Sequence, residues 1–262
     1  MKHLFFLLDK ILPLSVMLFI CNIVLKLRGI NEKFIIEKGK IRISSRVDSE
    51  HTIVFNYRSR LPMYLWGIQK RLKQLANDYG VDEGIQNGVQ TIVDCGANIG
   101  EIGLYLKYNF PHIDYIAFEP GNLEFATLRQ NLEPFGTYHN IALWYQEDEL
   151  EFFEKSETAD SSIFEILDYV SKTVVKAKTL DSIDINRNKI FLKVEGEGAE
   201  PEILNGALRT LNYCDFISVD CGFERGLEQA STLFEVYDIM KKSGFSPKII
   251  NKNRLVISYV RK

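Results

Sequence analysis

From residue 91 onward, predicted strands alternate with predicted helices, and this alternation predicts an α/β fold with a mostly parallel sheet covered by helices on both faces. Short apolar runs predict the strands, and apolar positions three and four apart predict the helices. The run 247–260 instead reads as two extended segments around Asn251–Asn253, which predicts an antiparallel C-terminal hairpin. Core strands are predicted at 91–95, 114–120, 137–144, 189–196 and 214–222, and core helices at 99–109, 122–132, 199–212 and 229–244.

The residues before 91 predict a mixed extension. Residues 31–57 alternate apolar and polar side chains around a Lys-Gly turn signal, which predicts short strands. Residues 62–79 begin with a proline and carry apolar positions at helical spacing, which predicts a helix. The Gly-rich segment 80–90 is predicted as a loop, and two further strands are predicted at 150–156 and 173–180.

Composition and charge exclude several classes of function. Hydrophobic residues make up 46% of the 262 residues and charged residues 26%, as in ordinary folded proteins. The net charge is −3 and no basic stripe is present, so we expect no nucleic-acid partner. The four cysteines lack the CxxC spacing of a zinc site and indicate a reducing compartment, so we expect a cytoplasmic protein.

Residues 11–27, ILPLSVMLFICNIVLKL, form the most apolar stretch of the chain. The stretch is short for a bilayer span, which needs about 20 residues, and no small-residue cleavage site follows it, which argues against a cleaved signal peptide. Two interpretations stay open. The stretch is either a helix packed on the domain or on a partner, or a membrane-associated segment flanked by Lys26 and Arg28 that holds the protein at the inner face of a membrane.

The stretch TIVDCGANIGEIGLYL (91–106) places a carboxylate and glycines between a strand and a helix. A dinucleotide fingerprint would read G-x-G-x-x-G, with a pyrophosphate on the helix N-terminus. Here Asn98 replaces the middle glycine, and Asp94 would repel a pyrophosphate. S-adenosylmethionine (SAM) fits better because it carries an ammonium and a sulfonium, and Asp94 can hold the ammonium side while Gly96 and Gly100 permit close backbone approach. The predicted cofactor contacts of this loop are Asp94, Gly96, Ala97, Asn98 and Gly100.

Two further polar residues follow predicted strands on the same edge of the sheet, where ligands of α/β proteins bind. Glu119 ends the strand 114–120, and its carboxylate can accept hydrogen bonds from both ribose hydroxyls of the cofactor. Asn140 lies on the next strand, and we expect it near the adenine. A ribose contact serves NAD as well as SAM, so an NAD-type oxidoreductase stays open as an alternative.

The chain resembles the FkbM family of SAM-dependent methyltransferases over residues 60–225. The resemblance depends on VDCGANIGEIGLYL, AFEP followed by LRQNL, NIALW, TADSSIFE, TLDSI and above all FLKVEGEGAEPEILNGA. The family implies a Rossmann-like class I methyltransferase fold, SAM as methyl donor and, usually, O-methylation of a hydroxyl on acceptors that range from natural products to glycans. We therefore divide the chain into an apolar N-terminal helix (1–30), an extension with short strands and a helix (31–88) and a SAM-binding methyltransferase domain (89–262).

The segment KVEGEGAE predicts a reaction centre at the end of the strand 189–196. Lys193 and Glu195 lie two residues apart and share one face of that strand, and Gly196 and Gly198 allow a sharp turn. A carboxylate can accept the proton of an acceptor hydroxyl if its pKa lies near the working pH. We predict Glu195 as this general base and Glu197 as the second candidate, with Lys193 lowering the hydroxyl's pKa or pairing with Glu195.

The acceptor pocket is predicted at ADSSIFE (159–165), where Asp160, Ser161 and Ser162 offer groups suited to sugars. The expected substrate is a hydroxyl of a sugar, glycan or glycolipid-like acceptor. Clustered acids can also hold a divalent metal, but no histidine or asparagine stands at a convincing spacing, so no metal is predicted. A domain that keeps the fold and binds SAM without turnover is a further alternative.

Overall fold

The computed structural model describes residues 11–47, 51–155, 161–186, 188–251 and 254–261. Short 3-10 helices lie at Arg58–Tyr64, Leu180–Ser182 and Thr210–Tyr213. The described helices and strands are, in chain order, α1 (Leu14–Leu27), β1 (Glu32–Glu37), β2 (Lys40–Ser45), β3 (Thr52–Phe55), α2 (Ile68–Tyr79), α3 (Val81–Gln86), β4 (Thr91–Cys95), α4 (Glu101–Asn109), β5 (Asp114–Phe118), α5 (Asn122–Leu132), β6 (Thr137–His139), β7 (Ala142–Leu143), β8 (Asp148–Lys155), β9 (Tyr169–Lys178), β10 (Ile190–Val194), α6 (Glu200–Asn205), β11 (Cys214–Asp220), β12 (Phe223–Arg225), β13 (Ala230–Ser231), α7 (Leu233–Lys242), β14 (Phe245–Asn251) and β15 (Val256–Arg261).

Seven strands form the central sheet in the order β14-β15-β11-β10-β4-β5-β6. The five strands β11, β10, β4, β5 and β6 run parallel to one another, and β15 runs antiparallel to both β11 and β14. The predictions of a mostly parallel sheet and an antiparallel C-terminal hairpin are therefore confirmed, and the strand order is that of the class I methyltransferase fold. The second hairpin strand, β15, joins the sheet, and β14 becomes the edge.

Alternating strand residues build two separate cores, one on each face of the sheet. Ile92 and Phe191 point to the first core, which they share with Leu72 of α2 and Leu104 of α4. Val93, Leu192 and Ile217 point to the second core, which Leu204 of α6 and Val236 of α7 complete. Helices thus cover both faces as predicted, because the two-residue period of a strand sends neighbouring side chains to opposite faces.

The N-terminal segment packs on the first core. Met17, Leu18, Cys21 and Leu25 of α1 are buried there, together with residues of the antiparallel sheet β1-β2-β3. Arginines tie both ends of α1 to the segment 58–65: Arg58 donates to the Leu12 carbonyl at 3.0 Å, and Arg28 donates to the Leu65 carbonyl at 2.6 Å. None of the described helices is long and apolar enough to cross a membrane.

Several predicted boundaries are wrong. The helix predicted at 62–79 begins only at Ile68, because Gly67, at a φ of +90°, separates it from a 3-10 helix. The predicted loop 80–90 contains α3. The helix predicted at 199–212 ends at Asn205, where Gly206 approaches the Trp144 carbonyl so closely that a Cβ atom would lie 1.9 Å from it.

The predicted strand 137–144 divides between two sheets. β6 pairs with β5 of the central sheet, and β7 pairs with β9 of a small sheet ordered β7-β9-β8. Asn140 lies at the division, and its side-chain amide donates to the carbonyls of Glu119 and Pro120 at 2.9 and 3.0 Å. These hydrogen bonds turn the chain out of the central sheet.

Candidate active site

A cavity of about 410 Å³ opens at the carboxyl ends of β4 and β10. The chain leaves β4 toward β5 and β6 on one side and reaches β10 and β11 on the other, so this is the switch point of the sheet, where ligands of such folds bind. Of the predicted site residues, those that line the cavity are Asp94, Gly96, Ala97, Asn98, Glu119, Ser161, Lys193, Glu195 and Glu197. Gly100, Asn140 and Ser162 lie outside the lining, and Asp160 lies outside the described residues.

The glycine loop is held against its neighbours by backbone contacts. The N–H groups of Gly96 and Ala97 both donate to the Phe118 carbonyl at 3.0 Å. Gly96 has a φ of +70°, and a Cβ atom there would lie 1.9 Å from the Glu195 carbonyl oxygen. Only glycine fits this crossing between the cofactor loop and the reaction-centre loop.

Gly100 has a different neighbour from the one expected. Its φ is +84°, and a Cβ atom would lie 2.7 Å from Leu132 of α5. This glycine therefore allows α4 to start tightly against another helix, and its predicted approach to the cofactor finds no support in the geometry.

Glu119 is buried at the edge of the cavity with both carboxylate oxygens turned to backbone donors. One oxygen accepts from the Asn98 N–H at 2.8 Å and the other from the Gly121 N–H at 2.8 Å. Burial raises the pKa of Glu119 to about 7 despite these hydrogen bonds. Glu119 thus joins the end of β5 to the glycine loop, where a ribose hydroxyl can donate to its remaining lone pairs.

Lys193 stands at the centre of the site because it lies opposite Asp94 in the register between β10 and β4. Its ammonium pairs with Asp94 and Glu195 at 2.9 Å each and donates to the carbonyls of Cys95 and Gly96 at 3.2 and 2.8 Å. Desolvation would lower the pKa of Lys193, but the two carboxylates raise it well above the ordinary value. The Lys193 ammonium is therefore charged, and its N–H groups are all used in contacts within the protein. It organises the site and has no N–H group available for a substrate.

Asp94 is also engaged below the cavity surface. Its other carboxylate oxygen accepts from the Tyr115 hydroxyl at 2.7 Å, and the residue is buried. The geometry favours an indirect role for Asp94, in which it fixes Lys193 and the loop while the cofactor's ammonium lies further out.

Glu195 is held between two cations. Besides Lys193, it pairs with Arg254 of the C-terminal hairpin, which also pairs with Asp220 at 3.1 Å. Desolvation would raise the pKa of Glu195, but Lys193 and Arg254 lower it to about 2. A carboxylate of such low pKa is a weak general base, so this geometry disfavours the base role predicted for Glu195.

The loop after β10 is organised from behind by Glu200. One oxygen of this buried carboxylate accepts from the Gly196 and Gly198 N–H groups at 2.8 and 3.1 Å, and the other accepts from the Thr232 hydroxyl at 2.9 Å. Burial raises the pKa of Glu200 to about 7. This support holds Glu197, at a φ of +49°, on the cavity wall.

The predicted acceptor segment touches the same loop. The Ser162 hydroxyl donates to the Glu197 carbonyl at 2.8 Å, and the Ser161 hydroxyl accepts from the Lys155 N–H at 3.1 Å. Ser161 therefore faces the cavity, whereas Ser162 is buried and joins the loop at 195–200 to β8.

Six charged residues that line the cavity were missed from the sequence: Arg60, Arg71, Glu101, Glu124, Glu224 and Arg254. Glu224 follows β11 by four residues, a spacing that could have drawn attention to it. Arg60 and Arg71 lie within the bounds of the family resemblance but outside the motifs that indicated the cofactor site, and Arg254 lies outside those bounds, so only the fold brings these arginines to the cavity. In the described part of the chain, no group of three or more His, Cys, Asp or Glu residues could hold a metal ion.

The residues present fit SAM in three respects. The cavity volume falls within the range of about 300–1,000 Å³ that is common for small-ligand sites. Gly96 has no Cβ atom, which would fill the narrow space beside the cavity where the cofactor loop crosses the loop after β10. Glu119, at the end of β5, presents a carboxyl group that can accept hydrogen bonds. The walls carry both cations and carboxylates, which suits the charges of an amino-acid group next to a sulfonium.

The fold and the site define a Rossmann-like methyltransferase domain, and comparison with known proteins agrees. The family profile "Methyltransferase FkbM domain" matches residues 94–247, more than half of the chain. The chain therefore belongs to this family of SAM-dependent methyltransferases, and the expected resemblance and cofactor are confirmed. The match includes the glycine loop and the loop after β10, and it excludes Arg60, Arg71 and Arg254.

One curated relative and several solved structures are similar to the chain. "Methyltransferase 1" of Beauveria bassiana is 41% identical over 51 residues, which cover 20% of this chain and 19% of the relative, so the match spans about a fifth of that protein. A SAM-bound amino pentose methyltransferase from Micromonospora echinaspora has a TM-score of 0.46 at 8% identity, covering 75% of this chain and 92% of its own. A ribosomal protein L11 methylase from Lactobacillus delbrueckii has a TM-score of 0.41 at 9% identity, covering 74% and 78%.

Proposed function

We propose that this protein transfers the methyl group of SAM to a hydroxyl group of a sugar, glycan or glycolipid-like acceptor. The observation that carries the proposal is a cavity lined both by the family's glycine loop and by Lys193, Glu195 and Glu224. When bound, SAM supplies an electrophilic methyl group and a neutral thioether leaving group. What the chain must supply is a place for the cofactor, an orientation for the acceptor and a destination for one proton.

Glu119 and the loop 96–98 bind the cofactor in this proposal. Glu119 accepts from the ribose hydroxyls, and the loop backbone, fixed by its hydrogen bonds to Phe118, lies along the methionine end. Asn140 acts indirectly, because its amide fixes the backbone after Glu119.

Glu224 is the better candidate for the acceptor's proton. It lines the cavity, and burial together with the charges of Asp220 and Glu195 raises its pKa to about 8. A base with a pKa near the working pH combines a deprotonated resting state with a strong pull on the proton. Glu195 then keeps the role of a positioning residue that holds Lys193 and Arg254, and Glu197 remains a second candidate on the same wall.

We infer the class of acceptor from the polar side chains that line the cavity outside the glycine loop. Ser161, Glu197 and Glu224 offer one hydroxyl and two carboxylates, which suit the many hydroxyl groups of a sugar. Hydrogen bonds from several hydroxyls would hold one of them in line for transfer.

Titration calorimetry with SAM and NAD, followed by labelling of glycan and lipid extracts with radiolabelled SAM, tests the proposal. We expect SAM to bind, NAD not to bind, and label to enter a carbohydrate-containing fraction. A protein that binds SAM but labels no acceptor would support the alternative of a non-catalytic domain. Binding of NAD without SAM would refute the proposal.

A second proposal concerns the exposed face of α1, which we infer lies on an anionic membrane surface. Val16, Phe19, Ile23 and Leu27 recur at spacings of three and four residues, and all are exposed, Phe19 to 66% and Leu27 to 82%. Beyond Leu27, Arg28 and Lys70 stack on the half-exposed Trp66 at 3.9 and 4.4 Å from its ring centroid. An apolar stripe edged by cations and a tryptophan is typical of helices that lie in a membrane interface.

Co-sedimentation with vesicles tests this attachment. We expect the protein to bind vesicles containing phosphatidylserine, to bind phosphatidylcholine vesicles more weakly, and to lose binding in Phe19→Asp. The control is Phe234→Asp, because Phe234 is 80% exposed on α7, on the other side of the sheet. Equal binding by the two variants, or no binding by the wild type, would favour a packed helix or a protein partner.

A further inference from the structure

Two arginines from the N-terminal extension reach the cavity from outside the matched family region. Arg60 lies in the 3-10 helix before α2, and Arg71 lies in the first turn of α2. Both line the cavity, and Arg60 contacts Asn98 of the glycine loop. We propose that Arg71, supported by Arg60, binds the α-carboxylate of the cofactor's methionine end; this inference rests on the SAM site proposed above.

A single buried carboxylate holds the two guanidinium groups in place. Glu101, the first residue of α4, accepts from Nε and Nη2 of Arg71 at 2.7 and 2.9 Å and from Arg60 at 3.3 Å. The Tyr64 hydroxyl donates to the same carboxylate at 2.8 Å. Burial would raise the pKa of Glu101, but Arg71, Arg60 and Tyr64 together lower it to about 2, so the cluster stays charged at any ordinary pH.

The Arg71 guanidinium has N–H donors that are not used in its contacts with Glu101. Its Nε and Nη2 atoms are committed to Glu101, and within the described part of the chain its Nη1 atom has no hydrogen-bond partner. Arg60 is fixed against the cofactor loop, since its Nη2 donates to the Asn98 side chain at 2.5 Å. Arg71 lines the cavity, and its planar guanidinium keeps N–H donors that Glu101 does not use, in a fork geometry that suits a carboxylate.

The ion-paired residues of the cavity form two poles of opposite net charge, apart from the carboxyl groups of Glu119, Glu124, Glu197 and Glu224 on the same lining. Arg60 and Arg71 share one carboxylate, that of Glu101, and leave one positive charge in surplus. At the second pole, Lys193 and Arg254 face three carboxylates, those of Asp94, Glu195 and Asp220, and leave one negative charge in surplus.

A zwitterionic amino-acid group fits between the two poles. Its carboxylate meets the surplus positive charge, and its ammonium meets the surplus negative charge. Lys193 cannot take the carboxylate, because its ammonium already contacts two carboxylates and two carbonyls. Arg254 is itself paired with two carboxylates, Glu195 and Asp220, which leaves Arg71 as the cation best placed for the cofactor.

Calorimetry with SAM and decarboxylated SAM tests the inference, because the two ligands differ only in the carboxylate. We expect the wild type to prefer SAM by at least about tenfold, the size of one charge-assisted contact. Arg71→Met should lose most of that preference by weakening SAM while leaving decarboxylated SAM within about twofold of its wild-type affinity. Arg129→Met is the matched control, because Arg129 makes an exposed ion pair with Glu133 and lies outside the cavity lining.

A second variant covers the case in which Arg71→Met does not fold. Arg71→Lys keeps a charge beside Glu101 but loses the fork, and it should show a reduced preference in a folded protein. Preferences equal to the wild type in the variants that fold would overturn the inference. So would a wild type that binds both ligands equally, which would leave the SAM site itself intact. A wild type that binds neither ligand would refute the SAM site as well.

Discussion

Gly96 shows how strictly single residues shape this site. Its backbone crosses the Glu195 carbonyl at a distance that leaves no room for a Cβ atom, and its φ is +70°. Gly29 has the same φ of +70°, but a Cβ atom there would meet nothing within 4 Å. A comparison of the two positions therefore distinguishes the cost of the left-handed backbone from the cost of the steric clash.

We expect Gly96→Ala to cost clearly more stability than Gly29→Ala. A left-handed backbone costs about 1–2 kcal/mol for alanine at either position, and the clash with Glu195 adds to this at Gly96 only. Urea unfolding measures the difference, and calorimetry should show weakened SAM binding for Gly96→Ala alone. Equal costs for the two variants would mean that the loop relaxes and that the crossing is not tight.

Single substitutions can also show which residue accepts the proton of the acceptor hydroxyl. If Glu224 is the base, the rate of methyl transfer should rise as the pH rises through about 8, because the carboxylate must be deprotonated to act. Glu224→Gln should lower the rate by about 100-fold or more and remove this rise. Glu195→Gln should lower the rate and keep a rise with pH, because the pKa of Glu195, about 2, lies below the working range. The rise should move to lower pH, because the charge of Glu195 contributes to the raised pKa of Glu224.

The exposed Glu235→Gln serves as the control in this experiment and should match the wild type. A Glu224→Gln enzyme with the wild-type rate and profile would remove Glu224 from the reaction. Loss of the pH-dependent rise in Glu195→Gln would restore the base role predicted for that residue.

At the scale of elements, α1 has one face in the core and one face in solvent. Leu25 is fully buried against the first core, whereas Leu27, two residues later, is 82% exposed. A helix turns by about 200° over two residues, so these leucines point in nearly opposite directions. The helix thus stabilises the fold with one face and leaves the other for an interaction.

We expect Leu25→Ala to lower the free energy of unfolding by about 2–5 kcal/mol, the cost of a buried cavity. Leu27→Ala should change it by less than about 0.5 kcal/mol, as is usual for exposed positions. Urea unfolding measures both values. A small effect of Leu25→Ala would show that α1 packs only loosely on the domain, and would weaken the view that the extension belongs to the fold.

At the scale of the whole molecule, the protein carries carboxyl groups with raised pKa values, among them the buried Glu119 and Glu200 and the half-buried Glu224. Each binds a proton more tightly in the folded than in the unfolded state. Their contribution to stability is therefore present below the unfolded pKa of about 4.5 and is lost as the pH rises through the folded value of about 7 to 8. The cofactor site thus lowers the stability of the whole fold at neutral pH.

Glu200→Gln tests this cost at one position. Its amide can accept from the Gly196 and Gly198 N–H groups and donate to the Thr232 hydroxyl without a buried charge. We expect the variant to gain stability over the wild type as the pH rises from about 4.5 to 7, by at most about 3 kcal/mol, since one pKa unit corresponds to about 1.4 kcal/mol. Unfolding curves at pH 5 and 8 measure this gain, and a difference that does not depend on pH would contradict the prediction.

The sequence by itself determined the sheet, the glycine loop and the cofactor. Thr91–Cys95 and Ile190–Val194 are continuous runs of buried residues, and the polar site residues lie within these runs or in the few positions after them. Such signals lie within a few neighbouring positions, so they can be read without the fold. The same reasoning placed Glu119, Lys193 and Glu195 at one edge of the sheet.

Only the tertiary structure decided what the charges of the site do. The sequence suggested a base in Glu195, but Arg254, nearly 60 residues later, pairs with it and lowers its pKa. Arg71 lies in a helix that the sequence predicted, but nothing in the local pattern shows that its side chain lines the cavity. Electrostatic effects depend on distance in space and on burial, and neither is encoded by spacing along the chain. The chemistry of this cavity therefore depends on contacts between segments that lie far apart in the sequence.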